Sequence, residues 1–213
     1  MLPILLFVLA ALALLLVPGP AVLYIVSQSA TQGRRGGLAS VGGIEFASLT
    51  HAVVAAFGLS AILLASALAF NIVKYAGATY LILLGLHTIF VKRTKGSIVA
   101  DVANSKKNSS RLFVQGYFVN LLNPKTALFF YAFLPQFLIP SEGRVLEQTL
   151  MLGILFVALA SCTDSMYALT SSAAGQWFSH RTGILNTQKY VTGSIYIILG
   201  LFAATASPGP NAK

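Results

Sequence analysis

The chain has 213 residues, 56% of them hydrophobic and only 9% charged, with a mean hydropathy of +0.80. An ordinary soluble domain carries about 25% charge, so a soluble globular domain is excluded. The apolar content also excludes a disordered chain, and Cys162, the only cysteine, excludes a disulfide framework or a redox pair.

The first 33 residues carry no charged side chain. They lack the basic flank of a cleavable signal peptide and form too long an apolar run for its core, so a retained membrane helix is expected. Apolar windows of bilayer-spanning length fall near 2–26, 38–66, 70–91, 112–135, 147–173 and 188–206. They predict an all-α polytopic membrane protein with six transmembrane helices. The weakest boundary lies between the second and third spans, where only Phe70-Asn71 and Lys74 interrupt the apolar run.

The 14 Lys and Arg and 5 Asp and Glu give a net charge of +9. The loops after spans one, three and five hold Arg34, Arg35, Lys92, Arg93, Lys95, Lys106, Lys107, Arg111, Arg181 and Lys189, whereas the opposite side holds Lys74, Arg144 and Lys213. Short loops rich in Lys and Arg stay cytoplasmic, which predicts both termini outside and the 92–111 loop inside. Scattered over several loops without aromatic interleaving, these cations read as topology signals or contacts to anionic lipid, and nucleic acid is not an expected partner.

The two halves resemble one another at three places in order. Pro18-Gly19-Pro20-Ala21-Val22-Leu23-Tyr24 lies on Pro124-Lys125-Thr126-Ala127-Leu128-Phe129-Phe130 at a shift of 106. Ala47-Ser48-Leu49-Thr50-His51 lies on Ala160-Ser161-Cys162-Thr163-Asp164 at a shift of 113. Lys74-Tyr75 with Gly77-Ala78-Thr79-Tyr80 lies on Lys189-Tyr190 with Gly193-Ser194-Ile195-Tyr196 at a shift of 115 to 116. A repeat of three spans inserts its second copy upside down, so the expected architecture is two inverted three-helix repeats, 1–91 and 112–206, joined by the basic loop 92–111 and followed by a short tail, 207–213.

Each half places proline deep in its first span: Pro18 and Pro20 about 15 residues in, Pro124 about 12 residues in, near mid-membrane at 1.5 Å per residue. Proline removes a helix donor and clashes with the preceding turn. The resulting stumps expose carbonyls and amides, tolerable in a bilayer only against protein or a water-filled cavity. Paired breaks of this kind suit a midplane site whose amide ends face a carboxylate, although prolines also kink helices for packing alone.

Lys125, Asp164, His51 and Glu45 stand out among the charged or titratable residues of the predicted spans. Lys125 follows Pro124 at a depth that costs at least about 2.5–3.5 kcal/mol on insertion scales, so it is a candidate to neutralise a substrate carboxylate or to pair with Asp164. Asp164 and its repeat counterpart His51 are a candidate proton-carrying pair, with a buried structural hydrogen bond as the alternative. Glu45, about two turns into span two, reads as a gate or a structural salt bridge to Arg34 or Arg35. No metal site is expected from three widely separated histidines, no cofactor is implied, and no phosphate loop or nucleophile elbow points to an enzyme.

Val17-Pro18-Gly19-Pro20 and Asn123-Pro124-Lys125, with His51…Gly58-Leu59-Ser60 and Gly77-Ala78-Thr79-Tyr80-Leu81 between them, resemble the LysE/RhtB family of amino-acid exporters over all six spans. The resemblance implies a bacterial inner-membrane exporter of a small amino acid or relative, such as threonine, homoserine, leucine or lysine, driven by proton exchange. It also implies that Pro18, Gly19, Pro20, Asn123, Pro124 and Lys125 line the translocation site. The chain departs from many members in having Ala21 after Pro-Gly-Pro and Ser48 where an acid is expected in span two. The absence of a further acidic cluster in the cavity-facing spans favours a neutral zwitterion over a dibasic amino acid. A metal or other cation exporter of the same architecture and a non-transporting membrane subunit are the alternatives, and a homo-oligomer is left open.

Overall fold

The computed structural model describes residues 2–65 and 108–173, together with isolated positions between 72 and 90 and between 190 and 201. All the regular elements among them are helical. Helix α1 spans Leu2–Leu16, α2 spans Pro20–Ala65, α3 spans Ser109–Leu121, α4 spans Pro124–Leu128, and α5 spans Val145–Ala173. A π turn, Phe129–Phe133, and a 3-10 turn, Leu134–Phe137, prolong α4, and a second 3-10 turn, Pro140–Glu142, leads toward α5.

Two stretches, Pro20–Gly58 and Val145–Ser171, are long and apolar enough to cross a bilayer, with the shorter apolar helix Ile4–Leu16 preceding them. Their outward faces fit that solvent. Leu9, Leu16, Phe57, Ile154 and Met166 are each more than half exposed, a distribution costly in water and natural against lipid chains.

The breaks in the first and fourth predicted spans are present. Helix α1 stops at Leu16, and Pro18 and Pro20 lack the N–H groups that would carry it on. Pro20 then opens α2, where a proline costs least because the first turn has no acceptor for its missing proton. The second break follows the same logic. Helix α3 closes with Leu122 N–H bonded to the Phe118 carbonyl at 3.1 Å, and Asn123, in an extended conformation, caps α4 through its side chain with Pro124 in the first position.

The first predicted loop, Gln32-Gly33-Arg34-Arg35-Gly36, is a kink and not a loop. Helical geometry runs through it except at Gly33, whose φ of 72° and ψ of −173° lie where a side chain would be strained. One residue thus divides α2 into arms 20–32 and 34–65, enough to redirect the chain. The boundary between predicted spans two and three, the loop over 92–107, the repeated glycines 77, 85, 193 and 200, and the tail lie outside the described residues.

Close helix approach relies on missing side chains. A Cβ at Gly43 would fall on the Phe113 carbonyl, and one at Gly116 would lie 2.6 Å from the Ser40 carbonyl. The backbones of α2 and α3 therefore touch, a mode typical of membrane helices, where small residues at the interface maximise van der Waals contact. Helix α5 packs on α2 as well, Gly153 facing Ala52.

Two apolar clusters result. The larger collects Phe7, Leu14, Phe129, Phe130, Phe133 and Phe156 among its members, with rings of Phe129 and Phe156 stacked at 4.2 Å between centroids. The smaller holds Ala21, Ile25, Val41, Ile44 and Ala168, with Tyr24 and Tyr167 against it. The polar residues described next lie between the two.

Candidate functional site

The cavity between the breaks is lined by residues of every described helix. Leu14 and Leu15 come from α1, Glu45 and Ser48 from α2, Asn120 from α3, Lys125 and Thr126 from α4, and Asp164 from α5; Gly19 and Asn123 contribute from the breaks. Its free volume is about 30 Å³, room for a water molecule or two. Leu14, Leu15, Phe156 and Ala160 close it on the side of the larger apolar cluster, Ala21 and Ile44 on the other.

Lys125 joins the two breaks. Its Nζ donates to the Val17 carbonyl at 2.6 Å, a group that lost its helical partner when Pro18 and Pro20 interrupted the ladder. The ammonium thus sits at the carbonyl end of α1, where the helix dipole is negative. Gly19 makes the approach feasible, since a Cβ there would meet the Lys125 Cδ at 3.2 Å. The neighbouring orphan carbonyl, that of Leu16, accepts a hydrogen bond from the Tyr167 hydroxyl of α5 at 3.1 Å. Side chains of the second half therefore satisfy both carbonyls at the first break.

The second break is held by amides. Asn123 Oδ1 accepts from the Lys125 backbone N–H at 3.1 Å, the bond expected of an N-cap. Its Nδ2 donates to Asn120 Oδ1 at 3.2 Å, and the Thr126 hydroxyl donates to the same oxygen at 2.7 Å. Asn120 Nδ2 reaches across to α2, donating to the Ile44 carbonyl and to Ser48 Oγ, each at 2.9 Å. Asn120 is 2% exposed and joins α3, α4 and α2 in one network. Asn120 is not among the sequence-based candidates, although an amide set between Val119 and Leu121 in an apolar segment is itself a signal.

The three charged groups are buried together. Lys125, Glu45 and Asp164 are 7%, 7% and 4% exposed, and Asp164 interacts electrostatically with both Lys125 and Glu45. Neither carboxylate oxygen of Glu45 has a hydrogen-bond donor. In place of a salt bridge to Arg34 or Arg35, Glu45 thus lies in the cavity wall, facing Asp164. It is the acid of the second span, three residues before Ser48 and on the same helix face.

His51 does not line the cavity. Its Nδ1 lies 3.1 Å from the Tyr131 hydroxyl and its Nε2 3.4 Å from the Asn120 carbonyl, with the ring stacked on Phe130. The carboxyl partner of Asp164 is Glu45, and His51 instead braces the network from behind. Tyr131 reaches it from the π turn, whose extra residue per turn shifts the facing side chains. Pro18, Pro20 and Pro124 act through the backbone, by the carbonyls and amides they leave unpaired. Among the described residues no group of three or more His, Cys, Asp or Glu is arranged to hold a metal ion.

This arrangement offers buried charges of both signs at paired helix breaks. The comparisons agree with a carrier. Residues 12–207 match the model of the LysE type translocator family. The chain is 32% identical to the homoserine/homoserine lactone efflux protein of Salmonella typhimurium over 94% of its length and 95% of the relative's. It is 31% identical to the protein of that name from Salmonella typhi, with the same coverage, and 28% identical to an uncharacterized membrane protein of Vibrio cholerae over 94% of this chain and 95% of that one. No solved structure matches. The chain is a membrane transporter and not an enzyme, and it belongs to the LysE-type translocator family.

Proposed function

We propose that the protein exports a small amino acid or amino-acid derivative, with homoserine as the first candidate, by proton antiport. The supporting observation is the enclosure of Lys125 and Asp164 between two broken helices and two apolar clusters. Charges held there serve an occupant that carries both signs. The substrate carboxylate turns toward the amide end of α2 and Lys125, and its ammonium toward Asp164. Protonation of Asp164 releases the ammonium, while His51, through Asn120 and Tyr131, keeps the frame in register.

The six spans act as two inverted three-helix units, 1–91 and 112–206, which rock about the breaks and open the apolar clusters in turn. The paired Pro-Gly-Pro and Asn-Pro-Lys elements support that reading, as do the three ordered matches between the halves. Both termini face the periplasm. The names of the Salmonella relatives, homoserine and its lactone, favour a small hydroxylated amino acid over a dibasic one.

The test is efflux from cells loaded with a panel of dipeptides, comparing vector, the protein, Lys125→Ala and Asp164→Asn at equal membrane abundance. Accelerated release of one amino acid, lost in both variants, is expected. Undiminished transport by Asp164→Asn overturns its proton-coupling role. If no amino acid leaves faster than with vector, and divalent cations do, a cation exporter replaces this reading.

A further inference from the structure

The donors around Glu45 are already committed. Both protons of the Asn120 amide go to Ile44 and Ser48, the Thr126 hydroxyl and Asn123 Nδ2 both bond Asn120 Oδ1, and the Ser48 hydroxyl bonds the Ile44 carbonyl at 3.3 Å. Lys125, the one cation among the cavity-lining residues, donates a hydrogen bond to the Val17 carbonyl and interacts electrostatically with Asp164. Glu45 is thus a carboxyl group 7% exposed, lining the cavity, with neither oxygen hydrogen-bonded by a described residue. Burying such a group costs heavily unless something else supplies the donor.

We propose that Glu45 is a substrate-binding residue, and that it and Asp164 together take up the substrate's primary ammonium group as the principal recognised feature. This rests on the exporter reading above and adds a second anionic contact to it. An ammonium carries three N–H donors, enough to divide between the two acids that line the cavity beside Lys125. On the carboxylate side Lys125 already commits one of its three N–H groups to the Val17 carbonyl, so the amine, which meets two acids, makes the larger contact. Amino-acid derivatives with a free amine and a blocked carboxyl therefore enter the same site, and those with a blocked amine do not.

The experiment uses the full-length protein in proteoliposomes, following exchange of radiolabelled homoserine. Loss of a charge-assisted contact to Glu45 in Glu45→Gln is expected to reduce exchange about tenfold or more, with Glu45→Asp retaining most of it. Homoserine amide should compete within about threefold of homoserine itself, and N-acetylhomoserine at least about tenfold more weakly. A binding measurement in detergent stands apart from transport: homoserine amide should raise the melting temperature of the wild type and not that of Glu45→Gln.

Homoserine exchange by Glu45→Gln at the wild-type rate overturns the assignment of Glu45 and leaves the exporter reading intact. N-acetylhomoserine competing as well as homoserine overturns recognition by the amine. If the wild type exchanges no homoserine but is stabilised by the amide through Glu45, the exporter reading fails and the ammonium site stands. If the amide neither competes nor stabilises, the ammonium site falls.

Discussion

Lys125 Nζ donates to the Val17 carbonyl at 2.6 Å across 108 residues of sequence, so that the second helix break of the chain is fastened to the first. The carbonyl has no partner within its own helix because Pro18 and Pro20 follow it, and the lysine has no counter-charge in lipid except what the protein provides. Each group removes the other's cost. Lys125→Met keeps the apolar stem and deletes the donor, and the Val17 carbonyl left unsatisfied in a buried site should destabilise the protein by about 1–3 kcal/mol. The loss is expected as a lower melting temperature in detergent, alongside abolished efflux. An unchanged melting temperature would mean that the bond contributes nothing to holding the breaks together.

Gly19 is a milder test of the same relationship. Its hypothetical Cβ lies 3.2 Å from the Lys125 Cδ and 3.7 Å from Nζ, so Gly19→Ala requires the flexible lysine stem to give by a few tenths of an ångström. We expect the variant to fold and to reach the membrane at wild-type abundance while transporting several-fold more slowly, because the side chain that moves is the one at the site. Loss of folded protein would instead mark Gly19 as a backbone requirement.

Asn120 should behave as the centre of a network. Asn120→Leu removes the acceptor shared by Asn123 and Thr126, each of which is left with an unsatisfied buried donor at about 1–3 kcal/mol apiece. Thr126→Val removes one of those donors beforehand. The two changes should therefore be non-additive in melting experiments, with a coupling of about 0.5–3 kcal/mol. Strict additivity would show that the 2.7 Å bond between Thr126 and Asn120 carries no energy of its own.

What could be read from the sequence was local chemistry. Proline dictates a helix break wherever it stands in a helix interior, so Pro18, Pro20 and Pro124 announced their breaks, and Asn123 before Pro124 is a cap by residue type alone. Lys125 announced itself by the cost of its depth. What could not be read was which side chains converge, because that depends on how the helices turn. Its place about two turns into the predicted second span puts Glu45 near the membrane boundary, within reach of Arg34 or Arg35. The Gly33 kink sets the second arm of α2 so that Glu45 faces Asp164.

The same limit explains His51. Equivalence in sequence between His51 and Asp164 says that two residues occupy like places in two copies, not that they touch. The π turn at 129–133 brings Tyr131 to His51, and the Asn120 carbonyl holds its other nitrogen. Neither the π turn nor the carbonyl left at the end of α3 has a residue-type signature, so the bracing role of His51 emerges only from the fold. Asn120 itself was visible as a polar residue in an apolar span, and its fourfold bonding was not.

The contact between α2 and α3 offers the sharpest structural prediction, because adjacent glycines give opposite expectations. A Cβ at Gly43 would occupy the position of the Phe113 carbonyl, with the Tyr117 backbone nitrogen at 2.9 Å, whereas a Cβ at Gly42 meets only the Phe113 ring at 3.4 Å, ordinary contact. Gly43→Ala must push two backbones apart, which also pulls Asn120 away from Ile44 and Ser48, since those bonds cross the same interface. Overpacking of this kind typically costs about 1–3 kcal/mol and more where backbone must move. Gly43→Ala should thus lower membrane abundance and melting temperature, while Gly42→Ala, gaining helix propensity with room to spare, should match the wild type. If the two variants behave alike, the close approach of α2 and α3 at this point is not what seats Asn120.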